Sequence, residues 1–150
     1  MIRRVDNKKD ADICDTLLNK LILDEERYDK KINKNFIVKD YFSNVIKNQD
    51  NILLIEEENN RIVGYVFAKK INDDDVSSYI GYLIDGLFVQ EEYRHQGLGK
   101  RLLIEIIKMC ESTGASYIDI NVMYKNEDAK KLYKELGFND FKVSLRKELH

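Results

Sequence analysis

The sequence contains no proline, and only two cysteines and two histidines among its 150 residues. Because neither proline nor a low-complexity stretch marks a linker, we predict a single domain over residues 1–150. Cys14 and Cys110 fall on the apolar faces of predicted helices, which is typical of core thiols in a reducing compartment and not of a disulfide or a metal pair. Two histidines, His95 and His150, are too few for a histidine-based metal site.

Charge and hydropathy argue against two classes of partner. No apolar run approaches the roughly 20 residues that cross a membrane, and residues 1–6 are too polar for the apolar core of a secretory signal. The formal net charge is −2, with 25 Lys and Arg against 27 Asp and Glu. This balance argues against nucleic acid as the main partner, because neutralising phosphates requires a basic face. We expect a cytoplasmic protein with no membrane or nucleic-acid partner.

Hydrophobic periodicity predicts helices and strands of an α/β protein along the whole chain. The predicted helices span residues 11–23, 38–47, 96–113 and 127–136. The predicted strands span residues 2–5, 51–57, 61–70, 78–89, 116–122 and 141–147. Asp73, Asp74 and Asp75 fall in a predicted solvated turn before the long fourth strand.

The most informative stretch is residues 94–100, Arg-His-Gln-Gly-Leu-Gly-Lys, which joins an apolar strand to an amphipathic helix. Glycines let a ligand approach the backbone, and the N–H groups and dipole of a helix N-terminus attract anions. The stretch therefore predicts a phosphate-bearing ligand, although a glycine-rich turn with no ligand is the alternative. It is not a Walker A loop, because Arg94 and Arg101 replace its first glycine and its Ser or Thr. It is not a dinucleotide fingerprint, because Leu102 replaces the third glycine.

A second motif fills residues 126–138, Asn-Glu-Asp-Ala-Lys-Lys-Leu-Tyr-Lys-Glu-Leu-Gly-Phe. Asn126 suits a helix N-cap and Gly137 the position after the last turn. Tyr133 lies two helical turns after Asn126, and so on the same face. Together with the Arg-x-x-Gly-x-Gly loop, this helix resembles the GNAT superfamily of N-acetyltransferases, whose helix reads Asn-x-x-Ala-x-x-Leu-Tyr-x-x-x-Gly-Phe. The resemblance covers about residues 60–138.

The resemblance implies a fold. GNAT domains are α/β proteins with a mixed, mostly antiparallel central sheet, a splayed and bulged central strand and about four flanking helices. Members usually close with two strands, whereas the residues after Phe138 suffice for one. We therefore expect an acceptor side that is either open or completed by a second subunit in a homodimer.

The resemblance also implies an activity. We expect an acyltransferase that moves an acetyl group from acetyl-CoA to a primary amine by direct attack in a ternary complex, with no metal. A small cationic amine, similar to a polyamine or an aminoglycoside, is the first expected acceptor. The alternatives are a protein lysine or N-terminal amine, or a module that senses acetyl-CoA without turnover.

The resemblance assigns coenzyme A to the strand and loop described above. Backbone groups of the strand hold the pantetheine arm, and backbone N–H groups of the loop hold the pyrophosphate, with added charge from Arg94 and Lys100. The expected contacts are Leu87, Phe88, Val89, Arg94, His95, Gln96, Gly97, Leu98, Gly99, Lys100, Asn126 and Tyr133.

Two residues are expected to move protons. Tyr133 resembles the general acid that protonates the departing sulfur, and its alternative role is that of a core tyrosine. Asp85 stands two residues before Leu87 on the same strand face, near the position of the base in some branches of the family. A water molecule is the alternative base, with Asp85 only hydrogen-bonded beside a bulge at Gly86.

An acidic run at residues 24–29 is expected to border the acceptor site, because the first helix passes there into the acceptor loop of the family. The predicted substrate-binding residues of this run are Glu25, Glu26 and Tyr28. The two carboxylates suit a cationic amine. A solvated helix end is the alternative.

Overall fold

The computed structural model describes residues 1–71 and 79–150 and places the predicted elements around one sheet. The strands are β1 (Ile2–Arg4), β2 (Ile52–Glu58), β3 (Arg61–Ile71), β4 (Gly81–Val89) and β5 (Tyr117–Ile120). The helices are α1 (Lys8–Asp24), α2 (Tyr41–Val45), α3 (Leu98–Ser112) and α4 (Glu127–Glu135), with short 3₁₀ helices at Glu25–Arg27 and Glu91–Tyr93. The strand order is β1-β2-β3-β4-β5. The first three pairs are antiparallel and β4 pairs with β5 in parallel, which confirms the mixed, mostly antiparallel sheet.

The apolar residues of the strands divide into two cores because the sheet is covered on both faces. On one face α1 and α2 pack on the sheet, where the Phe42 ring meets Tyr65 at 5.3 Å and Phe67 at 5.4 Å, both edge to face. On the other face α3 buries its apolar stripe. Cys14 lies in the first core and Cys110 in the second, so the prediction of two core thiols is confirmed. Burial raises the pKa of Cys14 to about 12 and that of Cys110 to about 11.

The central strand β4 is both bulged and splayed, as the resemblance predicts. Phe67 of β3 faces Gly86 but Ala68 faces Ile84, so Asp85 is the extra residue of a β-bulge. A Cβ on Gly86 would lie 3.0 Å from the Tyr65 hydroxyl, which explains a residue without a side chain there. Pairing with β5 ends at Ile84. Beyond it, one edge of β4 is left unpaired by the described strands.

Two element boundaries on the α1 side differ from the predictions because of side-chain capping. α1 begins three residues early, since Asn7 Oδ1 accepts a hydrogen bond from the Asp10 backbone N–H at 2.9 Å. The predicted helix over residues 38–47 is wrong at its start. Asp40 is left-handed at φ 57°, and the Val38 N–H donates to Asn19 Oδ1 at 2.8 Å. Only the segment Tyr41–Val45 is helical.

The predicted strand over residues 141–147 is also wrong. No residue from 139 to 150 belongs to a strand, because none of these residues pairs with any described strand. The predicted fourth strand begins at Gly81, and its expected first residue, Ser78, lies outside the described residues, as does the predicted turn at residues 73–75. The other elements differ from their predicted spans only at their ends. Within the described chain, every helix is too short or too polar to cross a lipid bilayer.

Candidate active site

The N-terminus of α3 is an uncapped helix end with a strained approach. His95 and Gly97 are left-handed, at φ 63° and φ 80°, and Gly97 provides no side-chain cap. The N–H groups of Leu98, Gly99 and Lys100 have no hydrogen-bond partner in the described chain, since the first bond of the helix is from Arg101 N–H to Gly97 O, at 3.1 Å. A Cβ on Gly97 would meet nothing within 4 Å. An open helix N-terminus with free donors fits the pyrophosphate of coenzyme A.

Two basic residues flank this helix end, Arg94 and Lys100, and they differ in the contacts that they make. The Arg94 guanidinium donates to Asp24 Oδ2 at 2.9 Å and to Val89 O at 2.7 Å, and it lies 5.2 Å above the Phe88 ring. Arg94 therefore ties the end of α1 to the end of β4, and its phosphate contact stays a prediction. Lys100 Nζ is half-exposed and lies 3.8 Å from a Glu135 carboxylate oxygen, and its phosphate contact also stays a prediction.

Helix α4 lies on the α3 side of the sheet, where Leu132 and Leu136 pack against the second core. Tyr133 is partly buried in the same cluster as Leu87 and Val89, and its ring meets Phe138 edge to face at 6.2 Å. Its hydroxyl makes no hydrogen bond within residues 1–71 and 79–150, and burial raises the pKa of the phenol. Asn126 caps α4 by accepting from the Ala129 N–H at 3.2 Å. The cap role of Asn126 is thus confirmed, and its side-chain amide stays available to a ligand.

A cavity of about 260 Å³ opens on the other face of the sheet, at the bulge in β4. Two carboxylates, those of Glu25 and Asp85, face it. Its walls are Leu18, Leu21, Ile22, Tyr41, Phe42 and Phe67. Burial raises the pKa of Glu25, and the nearby acids Asp85 and Asp29 raise it further. Asp85 Oδ2 also lies 3.5 Å from Lys69 Nζ. An apolar cavity with two acids at its rim suits a ligand that carries positive charge on a hydrocarbon body.

The structure brings only one of the three predicted acceptor residues to this cavity. Glu26 instead lies 3.1 Å from Lys34 and 3.5 Å from Lys30, and these lysines lower its pKa. Tyr28 stacks under the Arg27 guanidinium at 5.8 Å. Neither Glu26 nor Tyr28 lines the cavity.

Tyr65 is a buried polar group that the sequence does not reveal. Its hydroxyl is inaccessible and has no hydrogen-bond partner among residues 1–71 and 79–150, and it lies against Gly86 at the bulge. Burial raises its pKa. In the sequence Tyr65 is one position of the continuous apolar run over residues 62–68, and no local signal separates it from an ordinary core residue. Within the described chain, no group of three or more His, Cys, Asp and Glu side chains could hold a metal ion.

Sequence comparison supports the family resemblance. Residues 17–138 match the family described as "Acetyltransferase (GNAT) family". The N-terminal acetyltransferase A complex catalytic subunit ard1 of Schizosaccharomyces pombe is 37% identical over 76 residues, 50% of this chain and 42% of that protein. The chain spans less than two thirds of the length of the curated relatives that it matches.

Solved structures share the fold. A mutant of the BH1408 protein from Bacillus halodurans has a TM-score of 0.86 at 19% identity, over 100% of this chain and 99% of that one. The aminoglycoside N-acetyltransferase AAC(6')-Iy, in complex with CoA, has a TM-score of 0.74 at 16% identity, again over 100% and 99% of the two chains. With the family match over most of its length, the bulged and splayed β4 and the open N-terminus of α3, this chain belongs to the GNAT family of acetyltransferases.

Proposed function

We propose that the protein transfers an acetyl group from acetyl-CoA to a cationic primary amine, by direct attack with both substrates bound. One observation carries the proposal. The acidic cavity of Glu25 and Asp85 opens at the same bulge where one edge of β4 becomes unpaired. A pocket for an amine and a strand edge for a thioester therefore meet at one point of the sheet.

The donor side uses backbone groups. The free N–H groups at the start of α3 would bind the pyrophosphate, and the unpaired edge of residues 85–89 would hold the pantetheine arm like an added strand. At the bulge the backbone no longer follows the regular ladder, so an N–H there can point at the thioester carbonyl. That N–H would stabilise the oxyanion of the tetrahedral intermediate.

The acceptor must lose a proton before or during attack. An amine of pKa ~10.4 is almost wholly protonated at pH 7, and deprotonating it costs about 4.6 kcal/mol. Glu25 and Asp85 would bind the ammonium form by charge. Asp85, directly or through a water molecule, would then accept the proton as the nitrogen attacks the carbonyl carbon.

The leaving group is a thiolate, to which Tyr133 is our proposed proton donor. A phenol of pKa ~10 against a thiol of ~8.5 makes this transfer uphill by about 2 kcal/mol, and the buried setting of Tyr133 raises its pKa further. The proton would therefore move late, after the carbon–sulfur bond has broken. Neither cysteine suits an acetyl-enzyme route, since both are fully buried with raised pKa values.

Acetylation of a protein N-terminal amine is the second candidate, because the chain is similar to the catalytic subunit of an N-terminal acetyltransferase over 76 residues. The aromatic walls and the two acids of the cavity favour a small cation instead. AAC(6')-Iy, which shares the fold, is named as an aminoglycoside acetyltransferase, in line with a small polycationic acceptor.

The test is acetyl-CoA-dependent release of free thiol against polyamines, aminoglycosides, lysine-bearing peptides and peptides with a free N-terminus. We expect turnover with a polyamine or aminoglycoside, and a KM for that amine raised at least about 10-fold in Glu25→Gln. Glu26→Gln, at the neighbouring residue that does not line the cavity, is the matched control. Turnover only with peptides would replace the cationic acceptor by a protein one. Binding of acetyl-CoA without turnover of any amine would instead indicate a sensor.

A further inference from the structure

Lys69 is a cation on the cavity face of the sheet, and the proposed mechanism does not use it. It follows Phe67, a wall of the cavity, by two positions along β3, and therefore shares its face. Its Nζ lies 3.5 Å from Asp85 Oδ2, and its side chain is 46% exposed. Asp85 is the extra residue of the bulge, so the Lys69 ammonium stands beside the proposed base.

The other carboxylate of the cavity has no such cation. Among residues 1–71 and 79–150, no Lys or Arg side chain forms an ion pair with Glu25, and the charges that act on it are those of Asp85 and Asp29. Asp29 itself is held by two hydrogen bonds from Arg146, at 2.9 Å and 3.0 Å. The cavity thus has two carboxylates against the one ammonium of Lys69, which leaves a single negative charge for a ligand.

The Lys69 ammonium is the same chemical group as the proposed acceptor. Both are primary ammonium ions on a hydrocarbon stem, and both are attracted to the Asp85 carboxylate. The ion pair is open to solvent on both sides, with Asp85 38% exposed, and such pairs contribute little to stability. An acceptor can therefore displace Lys69 from Asp85, while the flexible stem of Lys69 keeps its charge close by.

We propose that Lys69 is a specificity-determining residue, which admits one ammonium to the cavity and repels a second one close behind it. This inference rests on the proposed function. The reacting ammonium balances the remaining negative charge and loses its own charge as it attacks. A second ammonium keeps its charge and meets that of Lys69, and like charges repel. The preferred acceptors are amines whose further positive charges lie well away from the reacting nitrogen, because salt screens the repulsion over about 8 Å.

Steady-state kinetics with matched amines tests this role. The measured quantity is the kcat/KM for trimethylenediamine divided by that for propylamine, which has the same carbon chain and one charge. We expect Lys69→Met, which keeps the stem and removes the charge, to raise this ratio by about 5-fold. Any effect of Lys69 on Asp85 as a base is common to both amines and cancels. With octamethylenediamine and octylamine the rise should stay below about 2-fold, because the second charge lies beyond the screening length.

Two further variants control for charge and for position. Lys69→Arg keeps the positive charge and should change the ratio by less than about 2-fold. The adjacent Lys70 belongs to the opposite face of β3, where its Nζ lies 3.6 Å from Asp50. Lys70→Met therefore removes one charge from the same strand without touching the cavity, and it should leave the ratio unchanged. Circular dichroism should show the same fold in all three variants, because both lysines are partly exposed.

Titration calorimetry of the same amines without acetyl-CoA separates this inference from the proposed function. The affinity for the diamine relative to the monoamine should rise in Lys69→Met as the kinetic ratio does. A protein that binds the amines in this way and never acetylates them would overturn the proposed function and support the role of Lys69. An unchanged ratio in Lys69→Met, with turnover intact, would overturn that role alone. So would an equal rise in Lys70→Met, and a protein that neither binds nor acetylates any of these amines would overturn both.

Discussion

At the scale of single residues, Tyr133 carries the sharpest prediction. Its hydroxyl has no partner in the described chain although the side chain is partly buried, so Phe can replace it with little effect on packing. If the phenol protonates the thiolate, Tyr133→Phe lowers kcat by about 100-fold and leaves the affinity for acetyl-CoA within about 3-fold. Thiol release and titration calorimetry measure the two quantities.

The control for that variant is Tyr124→Phe, at an exposed tyrosine whose ring lies under the Lys130 ammonium at 4.4 Å. It should keep full activity. Unchanged kcat in Tyr133→Phe would reduce Tyr133 to a core tyrosine that packs α4 on the sheet.

Glu25 and Glu26 make a pair of opposite predictions about stability and pH. The pKa of Glu25 is raised from 4.5, so its carboxylate weakens the fold as the pH rises through the folded-state pKa. Glu25→Gln should therefore raise Tm at pH 7, by on the order of 2 °C, and lose this gain near pH 4.

Lys34 and Lys30 lower the pKa of Glu26 from 4.5. The charged carboxylate therefore stabilises the fold at pH values above 4.5, and this contribution is lost as the pH falls through the lowered pKa. Glu26→Gln should lower Tm at pH 7. Thermal unfolding of both variants at the two pH values checks the signs. A lower Tm in Glu25→Gln at pH 7 would contradict the destabilisation of the charged Glu25 carboxylate by burial and by the neighbouring acids.

At the scale of elements, α3 allows its two ends to be compared. Gly97 before the helix and Gly114 after it have similar left-handed backbones, φ 80° and φ 85°, and a Cβ on either would meet nothing within 4 Å. Alanine at either position should cost about 1–2 kcal/mol of stability through backbone strain. Only Gly97→Ala should also weaken acetyl-CoA binding, by roughly 10-fold, because its Cβ occupies the approach to the free N–H groups. Equal affinities for acetyl-CoA in the two variants would contradict binding of the pyrophosphate at this helix end.

The bulge of β4 is the second testable element. Gly86→Ala places a methyl group 3.0 Å from the Tyr65 hydroxyl, and we expect a loss of about 1–3 kcal/mol in the free energy of unfolding. Tyr65→Phe alone should be neutral or stabilising, because it removes a buried hydroxyl that has no partner in the part of the chain that the structure describes. In the double variant the loss should be partly relieved, since the ring carbon at 3.1 Å remains. Denaturant unfolding of the three variants measures this coupling, and strict additivity would contradict the contact.

At the scale of the whole molecule, the sequence predicts what depends on local signals. The apolar runs of the strands, the capping positions of α4 and the glycines before α3 are local, and the fold and the loop follow from them. The cavity walls are not local, because Tyr41, Phe42 and Phe67 differ from other core residues only in facing an empty volume. Residues 141–147 show the limit most clearly, since their alternation predicts a strand while pairing depends on what lies beside them.

Arg94 shows the same limit for charged residues of the site. Its place in the loop motif predicts a phosphate contact, yet its guanidinium is engaged by Asp24, which lies 70 positions away in the sequence. Such a long-range pairing leaves no trace in the spacing of the motif. The same holds for Glu26, which forms an ion pair with Lys34 and does not line the cavity.

The central claim is acetyl transfer to a cationic amine, and a stoichiometric product measurement tests it most directly. The protein is incubated with acetyl-CoA and a polyamine, and acetylated amine and free coenzyme A are quantified by mass spectrometry, with Asp85→Asn in parallel. We predict equal amounts of the two products, and a rate at least about 100-fold lower in Asp85→Asn. Free coenzyme A without acetylated amine, or bound acetyl-CoA that no cationic amine ever turns over, would contradict the account.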